Sequence, residues 1–183
     1  MTPLLLTAAV VLIAGTTILA FNRLTRSRER VREAWSGIDV QLQRRADLVP
    51  NLVETVKGYA THERDVFEEV TRARSATRGA RGAGEASLAS LALTGGIRRL
   101  FALAEAYPEL KAATSFLSLQ TELSDIEEKI GYARHFYNGN VLDYNTRVRR
   151  FPTVIVAQAF RFRPEEFFEA EGEAAEAVNV RLD

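Results

Sequence analysis

The chain has 183 residues, and its 24 Lys and Arg balance its 24 Asp and Glu. As a whole it therefore offers no electrostatic case for a nucleic-acid partner. Cysteine is absent, which excludes disulfides, thiolate metal sites and cysteine nucleophiles together. The length admits one membrane segment and one compact domain of about 160 residues.

The first element runs from Pro3 to Phe21, nineteen residues without a charge. As a helix it reaches about 28 Å, close to the roughly 30 Å of a bilayer core. Its threonines are tolerable because a hydroxyl can bond back to the preceding turn. A cleaved signal peptide fits poorly, since no basic residue precedes the run and no small-residue cleavage motif ends it. Arg23, Arg26, Arg28, Arg30 and Arg32 follow at once. Such a basic cluster tends to stay in the cytoplasm and favours anionic lipid headgroups. The expected topology is therefore single-pass, with the N-terminus outside and the domain in the cytoplasm. Three units are expected: an anchor over 1–22, a helical domain over 23–171 and an acidic tail over 172–183.

Charge is unevenly spread over the soluble part. Residues 22–99 carry a basic surplus of five, and residues 100–183 an equal acidic surplus.

The next element carries Val31, Trp35, Ile38, Leu42, Arg45, Val49, Leu52, Val56 and Tyr59 in steps of three and four. A period of 3.5 predicts a long helix that packs at a shallow angle. Pro50 predicts either a kink or a break, and the unbroken seam favours the kink. Thr61 can cap a second helix, with Glu63 and Asp65 in its first turn, running to about Thr77. GARGAG at 79–84 reads as a flexible linker, and helix resumes over 85–106, weakened by Gly95-Gly96. Tyr107-Pro108 stops that stretch.

A second seam then joins Phe116, Leu119, Leu123, Ile126, Ile130, Ala133, Tyr137, Asn140, Tyr144, Val148 and Phe151. It predicts a helix over about 113–150, closed by Phe151-Pro152. A short apolar run, VIVAQAF, leads to FRFRPEEFFEA with four phenylalanines. These elements predict an all-α fold. Its architecture is a transmembrane helix followed by an antiparallel up-and-down bundle of three long arms and a short last helix.

Chemistry is sparse. His62 and His135 each have a tyrosine three residues earlier, so the Glu-x-x-His pairs of di-iron bundles are missing. No phosphate-cradling loop, nucleophile elbow or dinucleotide fingerprint is present. Neither a cofactor, a metal nor a catalytic residue is expected. Glu122, Asp125, Glu127 and Glu128 read as a solvated acidic face rather than paired catalytic acids.

Arg45 stands on an otherwise apolar seam and needs a carboxylate or carbonyls from facing helices. With Asp47, Asn51, Asn138, Asn140, Tyr144 and Asn145 it forms a candidate buried polar or interaction site. Register-fixing by Arg45 is the plainer alternative. The phenylalanines at 160–168 read as a cap on the bundle end or as a contact for a partner or a membrane surface.

Several stretches resemble the LemA family of bacterial single-pass membrane proteins. They are AWSGIDVQLQRRADLVPNLVETVKGYATHE (34–63), ALAEAYPELKA (102–112), FLSLQTELSDIEEKIGYARHFYNGNVLDYNTRV (116–148) and FRPEEFFEAE (162–171). The RRADLVPNLV stretch and the Tyr-Asn pairs at 137–138 and 144–145 follow the family pattern, whereas GARGAG and the terminal RLD are less typical. The resemblance implies a helical bundle on a membrane anchor and no defined enzymatic activity. The function expected is a non-catalytic scaffold or adaptor at the cytoplasmic membrane face, with the lipid bilayer and a protein as partners. The alternative is a self-associating, membrane-shaping protein. An enzyme using the Arg45 region is the remotest reading.

Overall fold

A computed structural model of the chain describes residues 2–169. The acidic tail expected over 172–183 lies outside them. The described residues form six helices in order: α1 (Thr2–Lys57), α2 (Arg64–Gly79), α3 (Gly82–Glu105), α4 (Pro108–Ala112), α5 (Thr114–Arg149) and α6 (Thr153–Ala159). No strand occurs among the described residues.

α1 is one 56-residue helix that joins the apolar run to the bundle without interruption. Its first part is long and apolar enough to cross a membrane, and its large side chains from Leu4 to Leu19 are exposed. The hydroxyls of Thr7, Thr16 and Thr17 donate to carbonyls of the preceding turn, at 2.8 to 3.0 Å. That removes the unpaired donors a lipid environment penalises.

Pro50 does not end α1. Having no N–H, it leaves the Ala46 carbonyl without its helical donor. Arg74 of α2 takes that place, its Nε donating at 2.7 Å. A helix interrupted from within is thus completed by its neighbour.

The expected second arm folds into a hairpin of α2 and α3. The linker contracts to Ala80 and Arg81, both extended, followed by Gly82 at φ +79°, a conformation that favours glycine. Glu85 accepts the Arg81 N–H at 2.9 Å and helps to open α3. Thr61 caps nothing, because α2 begins at Arg64 with Glu63 before it. Gly95-Gly96 does not disturb α3. Gly96 instead permits a close approach, since a Cβ there would stand 2.8 Å from Val70 Cγ2.

α1 and α5 run antiparallel, and the α2–α3 hairpin completes an up-and-down four-helix bundle. The core has two parts. Near the membrane, Leu24, Val31, Ile38 and Leu42 meet Ile130, Tyr137, Val141, Tyr144 and Val148. Farther out, Val49, Leu52 and Val56 meet Phe67, Val70, Leu93, Leu100, Phe116 and Leu123. Burying each such aliphatic side chain is worth about 1.5–3 kcal/mol before entropy is counted. Three seam positions differ from expectation. Ala60 is buried in place of Tyr59, Val141 in place of Asn140, and Phe151 is exposed. In each case the helix turns at 3.6 residues rather than 3.5, or ends, and the interior position drifts.

Candidate functional site

The predicted polar residues separate into two places. The first surrounds Arg45, which is only 1% exposed and lies where the two core regions meet. Its Nη1 donates to Thr94 Oγ1 at 2.9 Å and to Glu127 Oε2 at 2.5 Å. Its Nη2 donates to the Ser90 carbonyl at 3.2 Å and to Ser90 Oγ at 2.6 Å. Nε has no partner among the described residues. Burial pushes the guanidinium pKa down, and the Glu127 carboxylate opposes that shift. Arginine stays charged even so, which makes the contacts a tie of α1 to α3 and α5. Beside it lies a cleft of about 280 Å³ bordered by Thr94, Ile97, Phe101, Leu123 and Glu127.

Asp47 and Asn51 do not join Arg45. Asp47 points outward and pairs with Arg78 at 3.1 Å, and Asn51 is exposed. Both face away because they stand two and six positions from Arg45, on other sides of α1. Glu122, Asp125 and Glu128 are exposed on α5, the solvated face expected of them. Glu127 alone of that cluster reaches a buried partner, and its own side chain stays 54% exposed.

The second place is a clamp on the extended segment that follows α6. Tyr137-Asn138 and Tyr144-Asn145 are seven residues apart and so share a face of α5. Asn145 Nδ2 donates to the Glu165 carbonyl and Asn145 Oδ1 accepts the Glu165 N–H, both at 2.9 Å. Asn138 treats Phe168 identically, at 3.0 Å in each direction. Tyr144 donates its hydroxyl to the Arg163 carbonyl at 2.9 Å, and Tyr137 to that of Glu166 at 2.8 Å. Two carboxamides and two phenols thus satisfy a backbone stretch that belongs to neither helix nor sheet.

The clamp seats Phe168 in the membrane-proximal core, against Trp35, which also packs edge-on against Tyr137. Ser87 Oγ donates to the Glu169 carbonyl at 2.9 Å, tying the segment to α3 as well. The segment thus touches α1 through Arg28 and Glu165, α3 through Ser87, and α5 through the clamp. Phe162 and Phe168 line the bundle, whereas Phe160 and Phe167 are exposed. Burial and the neighbouring Glu165 and Glu166 push the Tyr137 phenol up to about 12. Burial also raises that of Tyr144.

Asn140 belongs to neither place, since its Nδ2 donates locally to the Phe136 carbonyl at 2.8 Å. Tyr137 was the member of the clamp outside the candidate set. The heptad-spaced Tyr-Asn repeat is the signal for it.

Among the juxtamembrane arginines, Arg28 pairs with Glu165 at 3.3 Å and Arg32 with Glu29 at 2.7 Å. Arg23, Arg26 and Arg30 are exposed. The exposed apolar run of α1 directly before them places the protein at a membrane.

The model of the LemA family matches residues 34–182. The chain belongs to the LemA family. Arg45 and both halves of the clamp lie within that match, and the juxtamembrane arginines lie outside it. Among its relatives, the magnetosome protein MamQ of Magnetospirillum gryphiswaldense is 25% identical over 84% of this chain and 66% of its own length. MamQ 2 of Paramagnetospirillum magneticum is 24% identical over 88% and 69%. Protein LemA of Metamycoplasma hominis is 26% identical over 81% and 68%. The chain thus spans about two thirds of the length of these relatives. The family match takes in the bundle from residue 34 onward and the clamped C-terminal segment.

Proposed function

We propose that this LemA protein is a non-catalytic scaffold or adaptor that holds a rigid helical rod at the cytoplasmic face of a membrane. One observation carries the reading: α1 is continuous from the apolar run through the bundle. Span and domain then move as one body, which suits a post on which other proteins dock. The four clamp residues and both terminal nitrogens of Arg45 support it as well, because they are engaged within the chain. The orientation is supported by charge. Arg149, Arg150, Arg161 and Arg163 return to the end already occupied by Arg23, Arg26 and Arg30, and basic residues beside a span are retained in the cytoplasm.

In-cell crosslinking of the full-length chain, read by mass spectrometry, tests this. The expected result is a reproducible set of crosslinks from exposed lysines and carboxylates of the outer half to other cytoplasmic proteins. Crosslinks confined to copies of the chain itself would replace the adaptor by the second reading, a self-associating organiser of the membrane. Exposed Phe151, Ile155 and Phe160 favour that reading. It fails in turn if the purified full-length protein is monomeric and leaves anionic vesicles undeformed.

A further inference from the structure

We infer that residues 151–160 form a second membrane contact, with α6 lying in the lipid interface beside the span. This rests on the span itself and is independent of the scaffold reading.

The segment FPTVIVAQAF contains ten residues and no charge. Arg149 and Arg150 precede it, and Arg161 and Arg163 follow. An apolar stretch bracketed by arginines is suited to the boundary between acyl chains and anionic headgroups.

Its height relative to the span is set by contacts. Phe21, the last residue of the apolar run, meets Phe160 edge-on at 4.9 Å and Phe162 at 5.5 Å. At the other end of the segment, Phe151, Pro152 and Thr153 share a cleft with Arg23 and Leu24. Residues 21 to 24 of a helix cover about 4.5 Å of axis. The headgroup layer on one side of a bilayer is about 5–8 Å deep. The whole of 151–160 therefore falls within the layer where the span leaves the membrane.

Its faces are divided accordingly. Val156 and Ala157 are buried against the rest of the protein. Phe151, Ile155 and Phe160 are 75%, 60% and 54% exposed. Three large apolar side chains at that depth meet lipid. The occupant is the bilayer itself, because the surface is continuous with the exposed apolar run of α1 and flanked by charge of the sign that anionic lipids attract. The clamp gains a purpose from this: by fixing residues 163–168 to α5, it holds Phe160 and α6 at the membrane.

Since the chain has no cysteine, a single one can be placed at will. Phe151→Cys, Ile155→Cys and Phe160→Cys, with Tyr132→Cys as an exposed control on α5, would each carry an environment-sensitive fluorophore. The full-length protein is reconstituted in nanodiscs of mixed anionic and zwitterionic lipids, with or without brominated acyl chains. Quenching by bromine is expected to be several-fold greater at 151, 155 and 160 than at 132. Equal, water-like emission at all four positions would overturn the inference. So would a blue-shifted but unquenched signal that grows with the number of protein copies per disc, which would mean a second copy covers the face. An Ile155→Glu change separates contact from folding. It should leave the unfolding transition in detergent in place while reducing quenching at 160, and unchanged quenching would count against the contact.

Discussion

Pro50 breaks the hydrogen-bond ladder of α1, and Arg74 repairs it from the next helix. Because Ala46 is fully buried, its carbonyl has no water to fall back on. Arg74→Ala should cost about 1–3 kcal/mol, the usual penalty of a stranded buried acceptor. In a Pro50→Ala background the helix supplies its own donor, and the same change should cost less than about 1 kcal/mol. Urea unfolding of the full-length protein in micelles measures all four corners of this cycle. The clamp makes a similar prediction. Asn145→Ala strands both backbone groups of Glu165 and should cost about 1–3 kcal/mol, with Asn145→Asp, which keeps the acceptor, in between. Trp35, packed against Tyr137 and Phe168, reports on the loss through its fluorescence. Tyr137 adds a pH dependence. Its folded pKa of about 12 exceeds its unfolded value of 10.0, so between those two the folded state holds a proton that the unfolded state releases. Its contribution to stability is full below pH 10.0 and is lost as pH rises toward about 12. Denaturation midpoints across that window should fall less steeply in Tyr137→Phe than in the parent.

Helices set the next scale, and the two glycines of α3 distinguish propensity from packing. Nothing stands within 4 Å of a Cβ added at Gly95, whereas Gly96 faces Val70 across the hairpin. Gly95→Ala should therefore stabilise the protein by up to about 1 kcal/mol, the helix-propensity gain. Gly96→Ala should destabilise it by about 1–3 kcal/mol through overpacking, despite that gain. Paired thermal melts decide the matter. The same hairpin shows why two helical stretches expected to make one arm fold back on each other instead. Glycine-rich sequence marks a bend, but the angle and direction of the bend depend on which faces find each other. Alanines 83 and 86 and Gly96 are small enough to let α3 return along α1 and α2. The seams of α1 and α5, by contrast, were legible residue by residue, because a 3.5 period has a single physical reading over several turns. The exceptions are Tyr59 and Phe151, which lie past the helix ends, and Asn140 within α5, where the interior face drifts off the period.

At the scale of the molecule, Arg45 joins three helices where the outer and inner cores meet, and it is the one charged side chain buried among the described residues. Removing its carboxylate by Glu127→Ala should cost about 1.5–3 kcal/mol, because a buried cation loses a charge-assisted hydrogen bond. Asp47→Ala, which breaks the exposed pair with Arg78, should cost less than about 1 kcal/mol. Chemical denaturation compares the two directly. The Arg45 tie and the clamp have one thing in common: each uses polar groups from separate parts of the chain to fix how α1 and α5 meet a third element. Between them they hold α1 in register along its length beyond the membrane.

Sequence alone determined the membrane span, the all-α class, the two long seams and the need of Arg45 for a partner. Each of those follows from local composition or from spacing along one helix, where neighbours in space are neighbours in number. Which carboxylate answers Arg45, that Arg74 mends the gap at Pro50, and that the Tyr-Asn pairs grip residues 163–168 were decided only by the tertiary structure. So was the return of α6 to the level of Phe21. These partners lie 19 to 139 positions apart in number, and no periodicity connects them; packing of the apolar faces brings them together, and the polar groups then bond to whatever that packing has placed within reach.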